Sequence, residues 1–86
     1  MPHYYFDLHN GTGLTRDEEG LDLVDEAAAR AVSLETIRSI LSDEARSGSL
    51  DLVGRIDVRG AAGETVMSIS FEDAVQVRQP AGAAHD

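Results

Sequence analysis

The densest run of side chains able to do chemistry is Thr15-Arg16-Asp17-Glu18-Glu19-Gly20, with Glu26 six residues past the glycine. A hard cation such as calcium needs several oxygens converging around a sharp bend, and that bend is usually a glycine. Laid on the EF-hand loop, Asp17 falls at position 3, Glu19 at 5, Gly20 at 6 and Glu26 at 12. Asp17, Glu19 and Glu26 are therefore the candidate metal ligands. The pattern departs from that loop where position 1 is Thr15 and where position 8, normally apolar, is Asp22. The segment before it reads as strand and turn, not helix. A solvated acidic loop leading into a helix N-terminus accounts for the same residues.

A second group lies near the N-terminus, where His3, Tyr5, Asp7 and His9 alternate with Tyr4, Phe6 and Leu8. In a strand, same-face neighbours stand about 6.6 Å apart, so Asp7 and His9 are within reach of one ion and His3 is too far along. The simpler reading is a solvated strand face. Tyr5, Asp7 and His9, with Arg59 from a later strand, are the candidate partner-binding residues. No carboxylate pair is marked by spacing as acid and base, and the serines carry no G-x-S-x-G. Asn10-Gly11-Thr12-Gly13 lacks the third glycine and the following helix of a phosphate cradle. The sequence thus reads as non-enzymatic and without a cofactor.

Composition narrows the partners. The 86 residues hold 16 acidic and 7 basic side chains, all seven of them Arg, for a formal net charge of −9. Nucleic acids and anionic membranes are bound through Lys and Arg that neutralise phosphates, so both are disfavoured. The chain has no Cys, which removes disulfides, thiolate chemistry and cysteinyl metal sites. No apolar run is long enough to span a bilayer, and the first residues lack a signal pattern. The expectation is a cytoplasmic protein.

The elements that must position these side chains follow from periodicity. Residues 3–9 alternate as a strand, and Asn10–Gly13 turns the chain. A short second strand is expected at Leu14–Arg16 or at Leu21–Leu23, with Asp17–Gly20 as loop. Asp25 suits a helix N-cap, and no Gly or Pro follows until Gly48. Ala27, Ala31, Leu34, Leu41 and Ala45 form the expected buried stripe, widened by Ile37 and Ile40. Arg30 and Arg38 interrupt it, their stems laid on the core and their charges in water. Arg55–Arg59 alternates with Ile56 and Val58 inward. After a turn at 60–63, Thr65, Met67, Ile69 and Phe71 are expected on one strand face, against Ser68 and Ser70. Glu72-Asp73-Ala74 reads as a helical turn or a bulge. The expected architecture is α+β: an antiparallel sheet with one long helix on one face, in the order β-β-α-β-β. Residues 1–78 make the single domain and 79–86, rich in Pro, Gly and Ala, a disordered tail. Leu21 and Leu23 join Tyr4, Phe6, Leu8 and the later strand residues as core candidates. So small a core makes a homodimer one way to bury more apolar surface.

The opening Met-Pro-His-Tyr-Tyr-Phe-Asp-Leu-His-Asn-Gly, then Asp17-Glu18-Glu19-Gly20 and Asp25 with Ala27–Arg30, resembles a family of small bacterial proteins known as a domain of unknown function. Gly54–Arg59 and Phe71–Val75 resemble its second half, and Val24 stands where such sequences often carry Pro. The resemblance implies membership and no activity. A weaker architectural likeness is to the HicB-type antitoxin domain, which binds and neutralises a small toxin ribonuclease. The leading functional expectation is an interaction or regulatory module that contacts a protein partner. A calcium-responsive protein using the acidic loop and a HicB-like antitoxin are the alternatives.

Overall fold

The computed structural model describes residues 1–78 and Pro80. Its elements are β1 (His3–Asn10), β2 (Gly13–Thr15), β3 (Leu21–Asp22), α1 (Glu26–Arg46), β4 (Gly54–Arg59), β5 (Thr65–Ser70) and α2 (Phe71–Ala74). The strands form one antiparallel sheet in the order β2-β1-β4-β5, with β3 pairing the other end of β1 on the same edge as β2. Both positions proposed for the second strand are therefore strands, each too short to span β1 alone. The α+β class with one long helix holds. Apart from Pro80, the expected tail at 79–86 lies outside the described residues.

Helix α1 begins where Asp25 Oδ1 accepts the Ala28 N–H at 2.9 Å. It ends at a turn in which Gly48, at φ +90°, donates its N–H to Ala45. The helix packs on the sheet face built by Tyr4, Ile56, Val58 and Ile69, with Phe6, Leu8 and Met67 beside them. Its buried spine is Ala29, Ser33, Ile37 and Leu41, spaced four apart. That corrects the expected stripe, because Ala27, Ala31 and Ala45 are exposed. Ser33 escapes a hydrophobicity count, yet it is fully buried and its hydroxyl is satisfied by the Ala29 carbonyl at 3.0 Å. Two of the four spine side chains, Ala29 and Ser33, are small and fully buried.

Two further expectations change. Leu21 is 47% exposed: the register sets it opposite Tyr4 on the helix side, but the two-residue β3 lies at the sheet edge, where that side chain is left half uncovered. Thr65 leaves the inner face because the register between β4 and β5 shifts at Val58/Arg59, so that Thr65 pairs with Arg59. One extra residue in a strand reverses the side on which the residues before it point. Beyond β5, Phe71–Ala74 is a helical turn, with Phe71 and Ala74 buried and Arg38 Nε donating to the Ala74 carbonyl at 2.7 Å.

Candidate functional site

Among the described residues no element covers the other sheet face. It carries His3, Tyr5, Asp7 and His9 from β1, Arg55, Asp57 and Arg59 from β4, and Ser68 and Ser70 from β5. The register sets the neighbours: Tyr5 faces Arg59, Asp7 faces Asp57, His9 faces Arg55, and Ser68 faces Asp57 from the far side. The four partner-binding candidates of the sequence, Tyr5, Asp7, His9 and Arg59, thus share one surface. Asp7 and His9 do not converge on a common point, since each takes a partner from β4.

Arg59 holds the first cluster. Its Nε donates to Asp7 Oδ2 at 2.6 Å, and its second guanidinium nitrogen reaches Asp7 Oδ1 at 3.2 Å and the Asp17 carbonyl at 3.0 Å. The same guanidinium lies 4.8 Å from the centre of the Tyr5 ring, a cation–π contact. The Arg59 hydrogen bond holds the Asp7 carboxyl below its ordinary pKa although burial opposes ionisation. Asp57 is the centre of the second cluster, with His9 Nε2 at 2.9 Å, Arg55 Nε at 3.1 Å and the Ser68 hydroxyl donating to it. Burial works against the Asp57 charge, and the Ser68 and Arg55 hydrogen bonds outweigh it, so its pKa is also lowered.

The acidic loop closes a gap in the sheet edge. β2 pairs with Leu8–Asn10 and β3 with His3 and Tyr4, leaving the middle of β1 without a strand. Asp17 stands in for one. Its Oδ2 accepts the Phe6 N–H at 3.0 Å, its Oδ1 accepts the Glu19 and Gly20 N–H groups at 3.2 Å, and its own N–H donates to Asp7. Burial opposes its charge, and these three backbone donors still bring its pKa below the ordinary value. Gly20 sits at φ +67°, and a Cβ there would lie 2.5 Å from the Tyr4 carbonyl oxygen and 2.6 Å from the His3 ring. The glycine that matched a calcium loop is thus required by close packing of the loop on β1.

His3 clamps the loop from the other end. Its Nδ1 is 2.6 Å from Asp22 Oδ1, and its Nε2 is 2.7 Å from the Glu19 carbonyl oxygen. A carbonyl accepts only, and a carboxylate accepts when ionised, so the two contacts together favour the ring with both nitrogens protonated. Its pKa is raised, first by the Asp22 hydrogen bond and then by Glu19.

Of the metal candidates, Asp17 spends its oxygens on backbone donors, Glu19 offers its main-chain carbonyl to His3, and Glu26 opens α1. No group of three or more His, Asp or Glu side chains among the described residues is arranged to hold a metal ion. Sequence reasoning set His3 aside and gave Arg55, Asp57 and Ser68 no role in the site. The alternation in Gly54–Arg59 was the available signal for the two β4 residues, because it put Arg55, Asp57 and Arg59 on one face.

Residues 3–72 match the model of the DUF6894 family, a domain of unknown function, and the chain belongs to that family. The match spans the whole sheet and α1. No curated protein and no solved structure matches the chain, so nothing there extends the likeness to HicB-type domains. No helix among the described residues is long and apolar enough to cross a membrane.

Proposed function

We propose that this DUF6894 domain is a small non-enzymatic interaction module of the cytoplasm whose outer sheet face docks a protein partner. One observation carries the reading: the side chains of that face are fixed by their own hydrogen bonds before any partner arrives. Arg59 is held by Asp7, Asp57 by Arg55, His9 and Ser68, and His3 by Asp22 and Glu19. A prefixed polar face loses little side-chain entropy on binding, which is where many polar contacts give up their gain. Tyr5 supplies the aromatic anchor, half-buried on Arg59 and against the His3 ring, whose centre is 4.9 Å away. Rigid aromatic and Arg side chains are the usual centres of binding energy at such surfaces.

The test separates anchor from scaffold. Arg59 belongs to the scaffold, because its charge neutralises a buried Asp7. Tyr5→Ala and Arg55→Ala are the informative changes. Captured from native lysate at moderate salt, the partner should be lost with Tyr5→Ala and weakened with Arg55→Ala, with both melting temperatures close to the parent. A partner retained by both variants removes this face from the interaction.

A further inference from the structure

The two edges of the sheet are built differently. On one edge the pairing is split between a three-residue and a two-residue strand, with the Asp17 loop plugged between them. Short, interrupted edges are how proteins stop further strands from adding. The opposite edge is β5, Thr65-Val66-Met67-Ser68-Ile69-Ser70, a six-residue strand with no charge and no proline. Its register shift lies at its first residues, and from Met67 to Ser70 the ladder is regular. Among the described residues no backbone pairs with its outer side. A chain with a net charge of −9 leaves its longest free edge uncharged.

Charge and area together choose the occupant. Glu64 precedes the strand, and Glu72 and Asp73 follow it, all exposed. Arg38 reaches the Ala74 carbonyl from α1, and Arg55 and Arg59, one strand inward, are engaged by Asp57 and Asp7, so the carboxylates flanking the strand outnumber the cation beside them. The edge therefore lies in a negative field. A second copy pairing antiparallel would bring the Glu64 end of one strand toward the Glu72 end of the other. A six-residue strand pair, about 20 Å long, also covers far less than the roughly 1,200 Å² buried by stable protein interfaces. An extended peptide needs no such area, since main-chain hydrogen bonds to the edge supply its affinity.

We propose that β5 is a strand-addition site for an extended, basic segment of a protein partner, whose Arg or Lys residues meet Glu64 and Glu72, while Asp73 is turned back onto the Ser70 N–H. The site is separate from the outer face carrying Tyr5. The probe is a synthetic peptide of alternating Arg and Val, tested on the full chain beside an alternating Glu and Val peptide and an Arg/Val peptide N-methylated at alternate residues in either frame. Binding of the Arg/Val peptide is expected, with amide shift changes centred on Thr65–Ser70. N-methylation in the edge-facing frame should weaken it at least tenfold, and the Glu/Val peptide should not bind. Glu64→Gln and Glu72→Gln should each weaken it about threefold, the size of an exposed ion pair's contribution, and added salt should weaken it further. Tyr5→Ala should leave it unchanged, which keeps this site distinguishable from the outer face. Equal binding of both N-methylated peptides, shift changes confined to Tyr5–His9, no binding at all, or a dimer seen by sedimentation that Ser68→Lys dissolves would each overturn the proposal.

Discussion

Asp7 and Asp57 stand directly opposite each other on β1 and β4, two carboxylates in register on one sheet face. Like charges in that relation are destabilising. The fold answers by giving each its own counter-charge, Arg59 for Asp7 and Arg55 for Asp57, with His9 Nε2 also within hydrogen-bond reach of Asp57. The two answers differ in burial: the Asp7 and Arg59 side chains are 8% and 15% exposed, whereas Arg55 is half open to solvent.

Removing one partner of the buried pair should therefore matter far more than removing one of the exposed pair. Arg59→Met leaves the Asp7 carboxylate without its counter-charge beside Asp57 and frees the Asp17 carbonyl, so it should lower stability well beyond the loss from Arg55→Met. Arg55→Met should cost less than about 1 kcal/mol. Urea unfolding of the two variants measures both, and equal losses would show that burial does not set the difference.

The pH profile should have two limbs of opposite sign. Asp7, Asp17 and Asp57 all have lowered pKa values in the fold, so their stabilisation is present above their ordinary value of 3.8 and is lost as pH falls below it. His3 has a raised pKa, so its contribution is full below 6.5 and is lost as pH climbs through the higher folded value. Melting temperature should thus fall on the acid side below about pH 4 and ease downward on the alkaline side. His3→Gln should flatten the alkaline limb and leave the acid limb in place. An unchanged alkaline limb would mean that the ring nitrogens do not both donate.

Gly20→Ala probes the loop through its packing on Tyr4 and His3, adding and removing no charged side chain. The new methyl would meet the Tyr4 carbonyl at 2.5 Å in a left-handed backbone conformation. A loss of about 1–3 kcal/mol is expected from strain of that kind, with the Asp17 contacts loosened. Thermal unfolding reads the first effect, and faster amide exchange at Phe6, Glu19 and Gly20 reads the second.

Much of this surface was legible in the sequence because a strand's period of two assigns every side chain to a face. Alternation in His3–His9 and in Arg55–Arg59 placed Tyr5, Asp7, His9 and Arg59 together once the strands were antiparallel. Register was not legible, since nothing local says that Arg59 meets Tyr5 while Asp7 meets Asp57. The acidic loop reads two ways for a physical reason. A carboxylate that caps backbone N–H groups and a carboxylate that binds a cation occupy the same kind of turn, and a glycine serves both. The bulge near Val66 defeated the assignment of Thr65, because it inserts one residue that composition does not announce.

Ile37 and Leu41 of the expected helix stripe are buried and Leu34 and Ile40 pack beside them, whereas its alanines were misplaced for the opposite reason: hydrophobicity counted the large side chains and overlooked the small ones. Ala29 and Ser33 are both fully buried, and the Ser33 hydroxyl only returns to its own helix. A hydroxyl bonded to the carbonyl four residues back adds little to a helix, and Ala is the better helix former. Ser33→Ala should therefore raise stability by about 0.5 kcal/mol. Ser33→Leu keeps the position apolar but drives extra methylenes into the spine over the sheet, so about 1–3 kcal/mol should be lost. Opposite signs in chemical denaturation would show that small size, and not polarity, is what position 33 requires. A stabilising leucine would show that α1 has room to move off the sheet.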